Sequence, residues 1–299
     1  SLRLLVRVAA LGAIGRAAAE IGLSATAASQ RIRALEAAVG TQLLHRTTRA
    51  VSLSADGEVF LAHAKRIIAD VEDAMADLHC APDAIQGELR IASPASFGRK
   101  LIAPFVAEFL ETHPGVSIQL EMNDAVTHIV EQGFDLAIRL GNLAPSTLKA
   151  RPLGESPRVL VAAPRYLARH GLPQRLDDLR AHNCLARADV RTWRFSAPDR
   201  ETADIRISGN FATDSAEGVT EAALSGLGVA RKCRWEVAEH LESGGLVMLL
   251  VDHTILPEWR IYAVRPPSHR TPPRVRAFTD FLEGKLRSIA SLSRQGGTA

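Results

Sequence analysis

Residues 54–78 set the strongest constraint on what this chain can fold into. Ser54 stands where a helix cap belongs, and Asp56 and Glu58 fall in the first turn, where carboxylates favour the positive end of the helix dipole. Val59, Phe60, Ala62, Ala64, Ile67, Ile68, Val71, Met75 and Leu78 then recur on one broad face. A lone helix with so apolar a stripe needs a partner, and an antiparallel copy from a second subunit would supply it. Val59, Phe60, Ile67 and Val71 are the candidate dimerisation residues. Cys80-Ala81-Pro82-Asp83-Ala84 breaks the helix and reads as a linker. The chain of 299 residues therefore divides into a head (1–54), a helix with its hinge (55–86) and a body (87–299).

Charge separates the same parts. Residues 1–50 carry seven arginines against two glutamates, and residues 51–85 carry two cations against seven acids. A compact basic head is the profile of a nucleic-acid binder, although a solvated surface can look the same. The three cysteines, Cys80, Cys184 and Cys233, have no paired spacing, which argues against a disulfide framework or a structural zinc and fits a cytoplasmic chain. No apolar run reaches a membrane-spanning length, and early charges are too scattered for an export signal.

The head reads as three helices. Leu2, Leu5 and Val8 have helical spacing before Gly12; an Ala-rich helix spans about 13–21; Gly22 ends it and Ser24 caps the next, at about 25–39, which stops at Gly40. Ala17 and Ala18 are small where two helices must approach, with Ile21, Leu23, Ile32 and Leu35 as core. Ala25, Thr26, Ser29, Gln30 and Arg31 cluster at the amino end of the third helix. In a helix-turn-helix that end meets base edges, yet the spacing fits an ordinary helical hairpin equally well. Residues 43–54 read as strand, basic turn and strand, a wing whose Arg46 and Arg49 can reach phosphates or a minor groove.

Beyond Gly87 the rhythm alternates. Strands are expected at 88–92, 116–122 and 134–139, with helices at 99–110 and 125–132, in the order of a parallel sheet. A second block follows: a strand at 159–162, an antiparallel pair at 193–195 and 205–208, helices at 215–225 and 235–241, and a strand at 227–230. A strand at 260–264 and a helix at 274–286 close the chain. The first lobe spans about 87–160 and 265–288, the second about 161–264, with crossovers near 155–165 and 263–268.

These residues resemble a LysR-type transcriptional regulator nearly end to end. The head carries Ala17-Ala18-Ala19-Glu20-Ile21-Gly22-Leu23-Ser24, Ala28-Ser29-Gln30-Arg31-Ile32, Leu43-Leu44-His45-Arg46-Thr47-Thr48-Arg49 and Leu53-Ser54-Ala55-Asp56-Gly57 in the family's order. The body adds Gly87-Glu88-Leu89-Arg90-Ile91, Phe134-Asp135-Leu136-Ala137-Ile138-Arg139 and Gly226-Leu227-Gly228-Val229-Ala230. Gln30 stands where the family usually has a cation, and Leu5 and Ala13-Ile14-Gly15 also depart from its pattern. Ser96-Phe97-Gly98-Arg99 and the run from Arg231 to Val237 resemble a sub-branch that includes regulators responding to malate and tartrate. The resemblance implies a winged helix-turn-helix head, a long linker helix and a two-lobed α/β effector domain like a periplasmic binding protein. It further implies a homodimer, commonly a tetramer, bound to double-stranded DNA and controlled by a small effector, with no cofactor; RNA polymerase is a candidate further partner.

The rival is a solute-binding or enzymatic α/β protein with an incidental helical head. No catalytic constellation or metal site supports it. His128 and Glu131 have ligand spacing without a third partner, Gly226-Leu227-Gly228 lacks the third glycine of a dinucleotide loop, and no nucleophile elbow is present. The Gly226-Leu227-Gly228 run reads instead as letting the strand approach the neighbouring helix closely. Cys233 lies between Lys232 and Arg234, cations that favour a thiolate, although a small loop residue is the plainer reading. Ligands in such folds bind beyond the carboxyl ends of strands, near helix amino termini. The candidate effector residues are therefore Ser93, Ser96, Phe97, Asn123, Asp124, Thr213 and Lys232. A helix amino terminus with Lys232, and Arg99 beside it, points to a small organic anion; the sub-branch makes a hydroxy-dicarboxylate the leading candidate.

Overall fold

The computed structural model describes residues 1–46, 51–79, 85–125, 128–186, 190–196, 201–268 and 271–289, and only the backbone of 46, 69–70 and 72–79. The chain forms two compact units, Ser1–Glu88 with His128–Phe134, and Leu89–Thr127 with Asp135–Ala299.

In the first unit, helices α1 (Leu2–Leu11), α2 (Ile14–Glu20) and α3 (Ala25–Val39) precede the strands β1 (Leu44–Arg46) and β2 (Val51–Leu53) and the long helix α4 (Ala55–His79). The caps lie where the sequence puts them. Gly12 and Gly40 adopt the left-handed conformation after α1 and α3, and the Ser24 hydroxyl accepts from the Ala27 amide at 3.2 Å. Leu4, Leu5, Val8, Ala17, Ala18, Ala28, Ile32, Leu43 and Leu44 form the buried core, with Leu23 and Leu35 packed against it. Ile21 was expected in that core but is exposed; α2 ends at Glu20, so Ile21 turns away as its cap. The Glu36 carboxylate accepts from the amides of Leu43 and Leu44, at 3.0 and 3.1 Å, and so ties α3 to the wing.

The second unit begins near the start of β3 (Gln86–Ser93), followed by a three-residue helix α5 (Ala95–Phe97), a π-turn at Gly98–Ile102 and α6 (Ala103–Thr112). Next come β4 (Gly115–Met122), β5 (Leu136–Gly141), β6 (Lys149–Glu155), β7 (Arg158–Ala162), α7 (Pro164–His170) and β8 (Cys184–Leu185). Then follow β9 (Thr192–Ser196), β10 (Thr202–Arg206), α8 (Ala216–Leu224), β11 (Val229–Cys233), α9 (Arg234–Glu242), β12 (Val247–Leu249), β13 (Thr254–Leu256), β14 (Arg260–Arg265) and α10 (Pro273–Arg287).

Two main sheets result, ordered β4-β3-β5-β14-β6 and β12-β7-β11-β8, with a small sheet β10-β9-β13 beside them. The first sheet is mixed rather than parallel: β3 and β5 are parallel, but β14 returns antiparallel to both β5 and β6. Because β14 belongs to this sheet and β7 already belongs to the other, the chain crosses between sheets around 155–158 and 256–260. The second crossing therefore precedes the expected 263–268. The helix expected at 125–132 is not formed over its described residues, which make turns at 129–133. Side chains take the local amides instead: Asn123 Oδ1 accepts from Ala125 N at 2.9 Å and Gln132 Oε1 from His128 N at 3.1 Å. Buried Arg274 of α10 reaches Asp135 at 3.5 Å, ahead of β5.

Two glycines test the close contacts of the head. A Cβ at Gly57 would lie 2.0 Å from the Leu43 carbonyl oxygen, whereas one at Gly15 meets nothing. Gly57→Ala is expected to lower the head's stability by about 1–3 kcal/mol, and Gly15→Ala to raise it by about 0.4–1 kcal/mol. Thermal unfolding followed by circular dichroism checks both; an unchanged midpoint for Gly57→Ala contradicts the close approach.

Candidate DNA-reading helix and effector cleft

The amino-terminal end of α3 is presented outward. Ala25, Thr26, Gln30 and Arg31 are exposed and Ser29 is half-buried, while Ala28 and Ile32 anchor the opposite side in the core. Arg46 ends β1, paired with Val51, and Arg49 lies outside the described residues. On α4 the expected dimerisation residues separate. Val59, Ile67 and Val71 are 60%, 44% and 50% exposed, but Phe60 packs onto the core of its own head.

In the second unit a cavity of about 270 Å³ opens between the two main sheets. Ser96, Asp124 and Lys232 line it, as the sequence suggests; Arg139, Arg158, Arg231, Glu236 and Trp259 also line it and were missed. Ser93, Phe97, Asn123 and Thr213 do not. Ser93 is buried with its hydroxyl on the Pro94 carbonyl, and Phe97 packs edge-on against Trp235 at 5.3 Å. Asn123 and Thr213 accept from the amides of Ala125 and Ser215.

The expected anion donors are already engaged by the protein's own acids. Asp124 accepts from Ala95 N at 2.9 Å and, across the cleft, from Ala216 N at 3.1 Å. Its carboxylate thus occupies the amide at the start of α5 that was to meet a ligand. Lys232 is 4% exposed; its ammonium donates to Glu236 Oε1 at 3.0 Å and to the Ala216 carbonyl at 2.7 Å. Glu236 also accepts from Cys233 N at 2.8 Å and from the Ser96 hydroxyl at 3.3 Å. Arg99 bonds Glu217 at 2.7 Å. Lys232 and Arg99 are therefore spent inside the protein.

Arginines carry the remaining positive charge. Burial pushes Arg158 down to about 9, with repulsion from Arg231 adding to it, and burial pushes Arg231 down to about 10. Arg139 is lowered by burial too. All remain charged near neutrality. Cys233 moves opposite to the sequence expectation: burial drives its thiol up to about 12, outweighing the neighbouring cations. Gly226 and Gly228 both permit a close approach: an added Cβ at Gly226 would lie 2.7 Å from the Arg165 side chain of α7, and one at Gly228 2.1 Å from the Asn183 carbonyl oxygen.

Residues 1–58 match the family model for bacterial regulatory helix-turn-helix proteins of the lysR family, and residues 82–287 match the LysR substrate-binding domain. The chain belongs to the LysR family of transcriptional regulators. It is 33% identical over 289 residues to the regulator DmlR of Escherichia coli, covering 94% of this chain and 92% of that one. To the activator TtdR of the same species it is 30% identical, covering 94% and 91%. Among solved structures it is similar to CrgA of Neisseria meningitidis (30% identity, TM-score 0.61) and the virulence activator AphB of Vibrio cholerae (26%, TM-score 0.60), each over 95% of this chain and 97% of the other. These matches run through head and body together, so the rival enzyme or solute-binding reading is set aside: the chain is a DNA-binding regulator with an effector-binding domain, not an enzyme. LysR regulators respond to small molecules and are oligomeric. Among the described residues no helix is long and apolar enough to cross a membrane.

Lys232→Met would leave Glu236 buried without its cation. The expected cost is about 3–5 kcal/mol, most of it recovered by adding Glu236→Gln. Urea unfolding of the single and double variants checks this; equal stability of Lys232→Met and wild type contradicts the pair.

Proposed function

We propose that this regulator reads DNA with the amino-terminal residues of α3 and senses a small organic anion in the cleft of its effector domain. The observation that carries the first part is the outward set Ala25, Thr26, Gln30 and Arg31 on a helix whose other face is locked in the head core. With Ser29, these residues take the major groove, and Arg46 and Arg49 take backbone or minor groove from the wing. Boundaries at about 54 and 86 separate head, linker helix and effector domain in this reading.

Exposed Val59, Ile67 and Val71 support pairing of α4 with a second copy, which fixes the distance between two recognition helices. Phe60 contributes by seating α4 on its own head. Two such dimers form a tetramer on adjacent sites, RNA polymerase is the partner at the promoter, and the protein works in the cytoplasm, where that DNA lies.

Gln30→Ala is expected to lose about 1–3 kcal/mol of discrimination at one or two base pairs. Arg49→Ala is expected to weaken all sequences alike and to flatten the salt slope by about one. Gel-shift titrations on the promoter of the protein's own gene, at several salt concentrations, check both; two variants with wild-type affinity and selectivity refute the assignment. In sedimentation, Ile67→Asp with Val71→Asp should turn the oligomer into monomers that no longer bind the operator. A wild-type protein that is monomeric at micromolar concentration overturns the pairing.

A further inference from the structure

The register of the second sheet brings two guanidinium groups together. Arg231 of β11 stands opposite Leu160 of β7, and Arg158 stands opposite Cys233. The two arginines are thus diagonal neighbours on one face of an antiparallel pair, within reach of each other's long side chains. Lys232, the next residue, points to the other face, where Ala216 and Glu236 hold it. Each guanidinium lies over an indole: Arg231 is 5.5 Å from the Trp193 ring and Arg158 is 4.5 Å from the Trp259 ring. Among the described residues no carboxylate pairs with either, and their one hydrogen bond runs from Arg158 to the Pro257 carbonyl at 2.6 Å.

Two like charges that repel each other and are largely drawn out of water cost free energy unless something compensates them. The acids that line the same cavity are committed or distant from that task. Asp124 is held by two amides and Glu236 by Lys232 and Cys233 N, while Asp214 is exposed. Arg139, half-buried, lines the same wall.

Resting on the reading of this cavity as the effector site, we infer that Arg158 and Arg231 together receive a carboxylate of the effector, and that Lys232 does not. A carboxylate between two guanidinia accepts charge-assisted hydrogen bonds from both, and relieves their repulsion, which no neutral ligand does. The cavity, at about 270 Å³, lies near the small end of ligand pockets, roughly 300–1,000 Å³, so the acid is a small one.

The test uses the full-length protein with four acids, acetate, succinate, malate and benzoate, each beside its amide at matched ionic strength. Melting temperature and calorimetry are the readouts. At least one acid should raise the melting temperature while its amide does not. Arg231→Gln should weaken that acid at least tenfold, and Arg231→Lys less. Arg231→Gln should also raise the melting temperature without ligand, because an uncompensated buried charge is gone; a residue that only supports the fold would lower it. The inference is overturned if none of the acids protects, if the amides protect equally, or if Arg231→Gln binds the acid as wild type does. Gel shifts separate the two readings. An acid that binds through Arg231 yet leaves the promoter complex unchanged refutes the cavity as effector site, not the arginine receptor. An amide that changes the complex through this cavity refutes the receptor and leaves the effector site standing.

Discussion

The Glu236 carboxylate is the point on which the cleft depends. It accepts from Lys232, from the Cys233 amide and from the Ser96 hydroxyl, and the Glu236 main-chain oxygen accepts from Lys100 at 3.0 Å. Segments of chain following β3 and the strand β11 therefore converge on one residue. A buried ion pair adds little net stability compared with apolar packing, but a half-broken one is costly. Glu236 and Lys232 thus fix an arrangement more than they strengthen it. Asp124 does the same nearby, through amides of Ala95 and Ala216. Once these acids are committed, Arg158 and Arg231 have no carboxylate partner among the described residues, unlike Lys232.

The head was legible because its signals are local. Periodicity placed α1 and α3, Gly12 marked the end of α1 and Ser24 and Gly40 the ends of α3, and Ala17 and Ala18 marked a close approach. The error at Ile21 is one of a single residue: a helix ending at Glu20 rotates its cap away from the core. In the body, long elements such as α10 and β4 were equally readable. The short strands β12 and β13 carry too few residues for a pattern. A helix was expected at 125–132, but Gln132 satisfies the His128 amide with its side chain, a competition no periodicity reveals. The place of β14 in the first sheet is non-local, since its partners β5 and β6 precede it by a whole sheet of chain.

The arginines of the cleft wall escaped the sequence for a related reason. Ser96 and Asp124 follow β3 and β4, so local placement found them, and Lys232 was found near the end of a strand that runs on to Cys233. Arg158 and Arg231 become neighbours only through the register of β7 with β11. Side-chain alternation also separates Arg231 from Lys232 although they are adjacent in the chain. The expected anion partner, Lys232, is held instead by Glu236 and the Ala216 carbonyl. Cys233 shows the same limit: flanking cations suggest a thiolate, yet burial governs the thiol and holds it neutral.

A ligand shifts a conformational equilibrium only by binding one state better than another. The arginine pair sits on the second sheet, whereas Ser96 and Asp124 across the cavity follow β3 and β4 of the first. A small acid seated on the arginines therefore has its remaining surface against the other lobe, and its affinity depends on how closely that lobe approaches. The bonds that already cross the cleft differ in what they resist. The Arg99–Glu217 pair is about half exposed on both sides, and pairs of that kind are worth roughly 0–1 kcal/mol, so it yields easily. Those from Asp124 to the Ala216 amide and from Ser96 to Glu236 involve partly buried acids, where a broken bond leaves a carboxylate short of a donor. Any rearrangement that keeps these two acids satisfied must pivot about them, which confines the change in the cleft to its arginine side, where the charge of the ligand arrives.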